Sequence, residues 1–303
     1  MAKQFFRLLC RIERRAALKI TDIIGSSRPS LSFEVFPPKT SDGYAGIRDA
    51  ALQIASLSPS YMSVTYGAGG STAGYTADIA SQLLSAGVTP LAHLSCIGAS
   101  RDSIRQKLRD LSERGIENVL ALRGDLPVGM EAASLEYRYA SDLAREISSY
   151  GGFCIGGACY PESHPESESS DKDLEGLRKK VEAGCSYLTT QMFFDNNILY
   201  NFLWRLLRAG IDVPVVAGIM PLTSAAQIKR ICKISGTALP ARFLRIVDRY
   251  GERPEAMKQA GIAYATEQII DLYANGVNAV HVYSMNKPDV AAAIQKNLSE
   301  ILR

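Results

Sequence analysis

The chain has 303 residues, 47% of them hydrophobic, and its 34 Lys plus Arg against 31 Asp plus Glu leave a formal charge of +3. That length can bury a sizeable core, as two small domains or as one large α/β domain. A balance so weak and dispersed does not imply a nucleic-acid partner, although it is compatible with an anionic small molecule, and no apolar run is long enough to span a membrane.

The first segment, Phe5 to Ile20, carries Arg7, Arg11, Arg14, Arg15 and Lys19. It also contains Glu13 and lacks serines, so residues 1–20 read as a basic helical extension rather than a transit peptide. Residues 21–303 then read as one catalytic domain. Strand-like runs follow at Leu31 to Phe36, Tyr61 to Gly67, Thr89 to Ile97, Asn118 to Gly124, Phe153 to Tyr160, Tyr187 to Phe194, Val213 to Met220 and Ala279 to Met285. Between them lie helical spacings such as Tyr75 to Ala86, Ser100 to Arg114, Tyr137 to Tyr150 and Asp173 to Ala183, several ending at a glycine stop, Gly87, Gly115 or Gly184. The longest gap holds Thr223 to Ile234, Arg242 to Tyr250 and Pro254 to Ala274, extra helix before the last strand, and Val290 to Leu302 closes the chain. Eight β/α units in this length predict a closed (β/α)8 TIM barrel, with an open doubly wound sheet as the rival. The six cysteines show no CxxC pair and fall mostly in apolar segments, which suits free thiols in a reduced cytoplasm.

Within the first run, alternation puts Glu34 on one face with Ser32, and Leu31, Phe33 and Val35 on the other. Pro37 and Pro38 cannot donate to a ladder, so Glu34 sits near the carboxyl end of its strand, where barrel enzymes keep their active sites. A lone carboxylate there is costly without a role or a partner. The other unusual side chains, Thr65, His93, Arg123 with Asp125, Tyr160 with His164, Gln191, and Asn286 with Lys287, fall at the same end of their strands. Polar residues gathered around one mouth argue for a site.

These residues stand in motifs that resemble methylenetetrahydrofolate reductase in its short bacterial form: Ser32-Phe33-Glu34-Val35-Phe36-Pro37-Pro38, Val64-Thr65-Tyr66-Gly67-Ala68-Gly69-Gly70-Ser71, His93-Leu94-Ser95-Cys96-Ile97, Leu122-Arg123-Gly124-Asp125, Tyr160-Pro161-Glu162-Ser163-His164-Pro165-Glu166, Thr190-Gln191-Met192-Phe193-Phe194-Asp195 and Gly218-Ile219-Met220-Pro221. The resemblance implies a (β/α)8 barrel that holds FAD and reduces 5,10-methylenetetrahydrofolate to 5-methyltetrahydrofolate with NADH or NADPH, in two alternating half-reactions.

By the same resemblance Glu34 is the acid that protonates the departing nitrogen as the imidazolidine ring opens, and Asp125 stabilises the cationic iminium beside the flavin. Thr65, Tyr66, Ala68, His93, Arg123, Gly124, Tyr160 and His164 line the FAD site, Lys179 and Lys180 meet its pyrophosphate, and Asp173 meets a ribose hydroxyl. Gln191 binds the pterin edge, while Gln227 and Lys287 contact the folate. Lys287 stands where some relatives have Arg, and Ile231 where some have an aromatic. Read from the residues alone, alternatives stay open. Glu34 could pair with a buried Arg or Lys, Asp125 could cap a turn, and the charges on 173–180 could be a solvated helix face. The three histidines lack ligand spacing, so no metal is expected, and His281 reads as a hydrogen-bonded core residue. Two rival functions are a flavin-free barrel enzyme, disfavoured because no strand run contains a Schiff-base lysine, and a folate-binding flavoprotein subunit fed electrons by a partner protein. A homo-oligomer follows from the resemblance only, as does the expectation that a chain ending here carries no domain for S-adenosylmethionine inhibition.

Overall fold

The computed structural model describes residues 18–38, 40–66, 73–125, 135–228, 231 and 237–303. Eight parallel strands close into a barrel in sequence order, β1 (Ser30–Val35), β2 (Met62–Val64), β3 (Pro90–Ser95), β4 (Asn118–Leu122), β5 (Cys154–Cys159), β6 (Tyr187–Thr190), β7 (Val215–Ile219) and β8 (Ala279–Val282), with β8 pairing back onto β1. The predicted (β/α)8 barrel is therefore the fold, and the open sheet is excluded.

Outside the strands lie α2 (Tyr44–Ala55), α3 (Ala73–Ser85), α4 (Arg101–Glu113), α5 (Ala140–Tyr150), α6 (Ser170–Glu182), α7 (Asn196–Arg208), α8 (Ala241–Tyr250), α9 (Pro254–Ala274) and α10 (Pro288–Asn297), while α1 (Ile20–Ile24) precedes β1. Local sequence explains their starts and their buried faces. Ser100 and Ser169 cap α4 and α6 by accepting the backbone N–H three residues on, and Asp195 caps α7. Ile104, Leu108 and Leu111, spaced by four and three, turn one stripe of α4 onto the sheet.

Strand alternation divides each strand in two. Phe33, Val35, Met62, Val64, Ala92, Leu94, Val119 and Ala121 point outward into the main core shared with the helices. Tyr61, Leu91, Leu120, Cys154, Tyr187, Val216 and Ala279 point inward at the lower end, where they pack against Ile20 and Ile24 of α1. Asn118 ties that plug down. Its Oδ1 accepts the Ile20 N–H at 2.9 Å and its Nδ2 donates to the carbonyls of Leu18 and Pro90 at 3.1 and 3.3 Å. Residues 18–24, the foremost described part of the chain, thus close the amino-terminal mouth of the barrel.

The inserted helices α8 and α9 fill the gap between β7 and β8, with a satellite core of Met192, Phe194, Leu222, Ile228, Phe243 and Met257. Gly261 of α9 lies so close to the Leu222 carbonyl that a Cβ would overlap it. The strand runs read from sequence overshoot at their carboxyl ends, because residues such as Tyr66, Arg123, Tyr160, Gln191 and Met285 leave the ladder to form the rim. Among the described residues no helix is long and apolar enough to cross a membrane.

Candidate functional site

The carboxyl ends of the strands converge on the second mouth, and the most perturbed carboxyl among the described residues lies there. Glu34 is only 18% exposed, and burial raises its pKa from 4.5 to about 8. No Arg or Lys among the described residues pairs with it. Its neighbours are Ser63 Oγ, 3.4 Å from Oε2, and His93 Nε2, 3.7 Å from the same oxygen. The His93 nitrogen is buried without a hydrogen-bond partner, and burial lowers that imidazole to about 3.

Behind Glu34 runs a column of inward polar side chains in place of the usual apolar filling. Ser63 Oγ is 2.9 Å from His281 Nε2, His281 Nδ1 is 2.7 Å from Ser32 Oγ, and Ser32 Oγ is 3.0 Å from the Val280 carbonyl. His281 is held down to about 3 by burial, so it is neutral and has one donor and one acceptor nitrogen. Two proton orders are then possible. If Ser32 donates to Val280, it accepts from Nδ1–H; Nε2 accepts from Ser63, and Ser63 must accept from a protonated Glu34. If Glu34 is ionised, Ser63 donates to it, the tautomer reverses, and Ser32 gives up Val280. The protonated carboxyl keeps one more hydrogen bond, whereas the bond from Ser63 by itself favours the ionised form; burial, the larger cause, holds the carboxyl protonated.

Around this acid the rim is built from the loops. Arg123 donates to both oxygens of Glu166 at 2.6 and 2.7 Å, and this partner raises its pKa. Its Nε also donates to the Gly124 carbonyl at 3.1 Å. Gly124 has φ +89°, and a Cβ there would run into Ser95 and Ile97, so only glycine serves. The ring of His164 meets that of Tyr160 edge-on at 4.5 Å, and its Nδ1 accepts the Glu166 N–H at 3.1 Å. Gln191 anchors its own Oε1 on the Met192 N–H at 3.0 Å, which leaves its amide nitrogen to present a donor. Asp125 is exposed three residues past the end of β4.

The methylenetetrahydrofolate reductase family model matches residues 19–299. The chain belongs to that family. It is 35% identical over 268 residues to the 5,10-methylenetetrahydrofolate reductase of Pectobacterium carotovorum subsp. carotovorum, covering 88% of this chain and 89% of that one. Against the enzyme of that name in Escherichia coli K12 it is 35% identical over 266 residues, with the same coverage. Methylenetetrahydrofolate reductase (NADH) 1 of Arabidopsis thaliana is 36% identical over 298 residues; this covers 93% of the chain, which spans about half the length of that relative. Among solved structures, a Clostridium thermocellum protein described as binding two copies of 5-methyl-5,6,7,8-tetrahydrofolic acid superposes with a TM-score of 0.67 at 15% identity, covering 94% of this chain and 99% of that one. At that identity it speaks for the fold.

Not every residue that the family motifs single out faces the mouth. Lys180 is buried beside β5, donates to the Ala158 carbonyl at 2.6 Å and has its pKa lowered by burial. Asp173, half-buried and raised by burial, lies near it and His164. Lys179 stands exposed on the outer side of α6. Gln227 folds back on its own turn, its Oε1 accepting from the Thr223 N–H and hydroxyl at 3.1 and 3.3 Å. Lys287 donates to the Thr223 hydroxyl at 3.0 Å. Ile231 packs on the satellite core. Thr65 and Tyr66 close β2 at the rim, and Ala68, with the glycine-rich loop around it, lies outside the described residues. Sequence reasoning placed His281 in the core but missed its link to Glu34 through Ser63. The signal was present: Ser63 and Thr65 share a face of β2 as Ser32 and Glu34 share a face of β1. Glu166 was also missed as the partner of Arg123, since a loop contact leaves no periodic trace.

Proposed function

We propose that the protein is a flavoenzyme that reduces 5,10-methylenetetrahydrofolate to 5-methyltetrahydrofolate with NADH or NADPH, with Glu34 as the acid. One observation carries this reading: a carboxyl with no cationic partner among the described residues, its pKa raised to about 8 by burial, at the carboxyl-terminal mouth of a barrel of this family. Opening the imidazolidine ring needs a proton on the departing nitrogen, and Glu34, protonated below about pH 8, supplies it from Oε2. The neutral column behind it brings no cation to hold the carboxylate, so the proton stays on Glu34 until the substrate nitrogen takes it. Asp125, exposed at the rim, offers its carboxylate to the cationic iminium.

The residues present fit FAD. The unpartnered buried His93 Nε2 offers a polar atom at the pocket wall, Arg123 is a cation suited to a pyrophosphate, and Asp173 is a carboxylate suited to a ribose hydroxyl. Thr65, Tyr66, Gly124, Tyr160 and His164 complete the wall, and Gln191 presents an amide to a pterin edge. When bound, FAD supplies the hydride relay between nicotinamide and folate. Lys287 serves the folate as a point charge rather than a fork. The four buried cysteines among the described residues, Cys96, Cys154, Cys159 and Cys185, are unpaired, in keeping with a reducing compartment.

The purified protein is expected to be yellow and to be bleached by NADH or NADPH under anaerobic conditions, with colour restored by methylenetetrahydrofolate. Glu34→Gln should keep the bleaching and abolish the return of colour. A colourless protein that takes up no FAD would overturn the reading, and a yellow one that neither nucleotide bleaches would assign the electrons to a partner protein.

A further inference from the structure

The ladder between β1 and β8 ends at Phe33 and Val282, one residue short of Glu34. Past that point β1 runs on through Glu34, Val35 and Phe36, but β8 turns away. Met285 and Asn286 both adopt left-handed backbone, with φ of 55° and 54°. Asparagine tolerates that region; methionine, with a bulky side chain, does so at a cost. Two such residues in succession are strain that the surroundings must hold in place, and strain of this kind gathers at functional sites.

Side chains take over where the backbone ladder stops. Ser284, 1% exposed, donates its hydroxyl to the Glu34 carbonyl at 2.7 Å. The Asn286 carboxamide lies against Phe36 as a peptide group would: Oδ1 accepts the Phe36 N–H at 2.9 Å and Nδ2 donates to the Phe36 carbonyl at 2.9 Å. The next residues, Pro37 and Pro38, have no N–H, so no ladder continues on this flank of β1; the opposite flank is paired to β2 through Glu34–Ser63 and Val35–Val64. The peptide units on the carboxyl side of Glu34 are therefore fixed on this flank by the turn after β8.

We propose that Asn286, seconded by Ser284, is a positioning residue for Glu34: its carboxamide extends the β1–β8 ladder past its end and so holds the acid against Ser63 and His93. The left-handed Met285–Asn286 pair is the geometry that turns that carboxamide onto Phe36. This rests on Glu34 being the acid.

Asn286→Gly is the informative variant, because glycine is at ease at φ 54° and the exchange deletes the carboxamide without adding strain. Rapid-mixing measurement of the two half-reactions on the holoenzyme is expected to show flavin reduction by NADH within about twofold of the parent. Reoxidation by methylenetetrahydrofolate should slow about 10- to 100-fold, the scale of an ångström's misplacement of a catalytic group. The pH profile of the reoxidation step, and carboxyl carbon NMR of Glu34 read independently of turnover, should both titrate at lower pH than in the parent. Asn286→Asp provides a second test should the glycine variant fold poorly. Its first oxygen can still accept from Phe36, but the second faces the Phe36 carbonyl, so its defect should deepen as pH rises and the carboxyl ionises. A glycine or aspartate variant with parental reoxidation rate and Glu34 titration overturns the proposal, as does equal slowing of both half-reactions. Glu34→Gln separates the layers: if it still reduces folate, the acid assignment itself falls; if it does not while the Asn286 variants behave as the parent, only the positioning role falls.

Discussion

The sharpest physical consequence of the site is that Glu34→Gln should stabilise the protein, and only at high pH. Burial lifts this carboxyl from 4.5 to about 8. Between those values the folded chain keeps a proton that the unfolded chain has released, so stability falls as pH rises through the window and levels off above about 8. Each pH unit of that gap is worth about 1.4 kcal/mol, which bounds the full penalty at about 4 to 5 kcal/mol. The side chain is 18% exposed and water at the mouth offsets part of the burial, so about 2 to 4 kcal/mol is the expected size. Glutamine has the shape of the protonated acid, and its amide can donate to Ser63 Oγ as that acid does, so the column behind it stays satisfied. Urea unfolding of parent and variant at pH 5, 6.5 and 8.5 reads the difference directly. The difference should be smallest at pH 5 and grow as pH rises, the variant being the more stable. A difference that does not grow with pH would refute both the raised titration and the hydrogen-bond order argued for the column.

Other consequences follow from other buried groups. Burial holds His93 and His281 near 3, below the 6.5 they have when unfolded, so the stability they secure is present above pH 6.5 and is lost as pH falls toward 3; with the opposite slope of Glu34, melting temperature should peak near pH 6.5, and a peak two units away would count against these assignments. Asn118→Ala strips the Ile20 N–H and two carbonyls of their partner beneath the barrel and should cost about 2 to 4 kcal/mol in urea unfolding, whereas a cost within experimental error would mean the plug contributes little. Gly261→Ala drives a methyl group into the Leu222 carbonyl and should lower stability by at least about 2 kcal/mol by thermal melting, with an unchanged melting point showing that α9 can shift freely.

The barrel was legible because its signal is repeated: eight short apolar runs alternate with amphipathic helices, several of which end at a glycine stop, each within local reach along the chain. The strand ends were less so. Residues from Tyr283 to Met285 are as apolar as a strand requires, yet they leave the ladder because the turn after β8 is shaped by contacts to Glu34 and Phe36, 250 residues away in sequence. Glu34 itself stood out because a carboxylate in a greasy strand is chemically odd. Its supports did not, since Ser32 and Ser63 are unremarkable until the register sets them on either side of His281. Lys179 and Lys180 show the limit of neighbouring positions: one turns to the Ala158 carbonyl and the other to solvent, a difference of 100° around α6 that charge alone does not decide.

The column behind Glu34 is better understood as a holder of the proton than as a wire. A wire needs a member that can take up and release charge near the working pH, and the only ionisable one, His281, is held neutral down to about 3. It ends at the Val280 carbonyl, which can accept but has nothing to pass on. Below it the barrel is packed with Tyr61, Leu91, Leu120 and Tyr187 and stopped by Ile20 and Ile24, so no water path leads up from the amino-terminal mouth among the described residues. A proton that leaves Glu34 must therefore be replaced from the carboxyl-terminal mouth, the face by which the substrate enters. Under the proposed function, reprotonation then belongs to the interval when the pocket is open, and a bound folate would shield the acid from solvent while it acts.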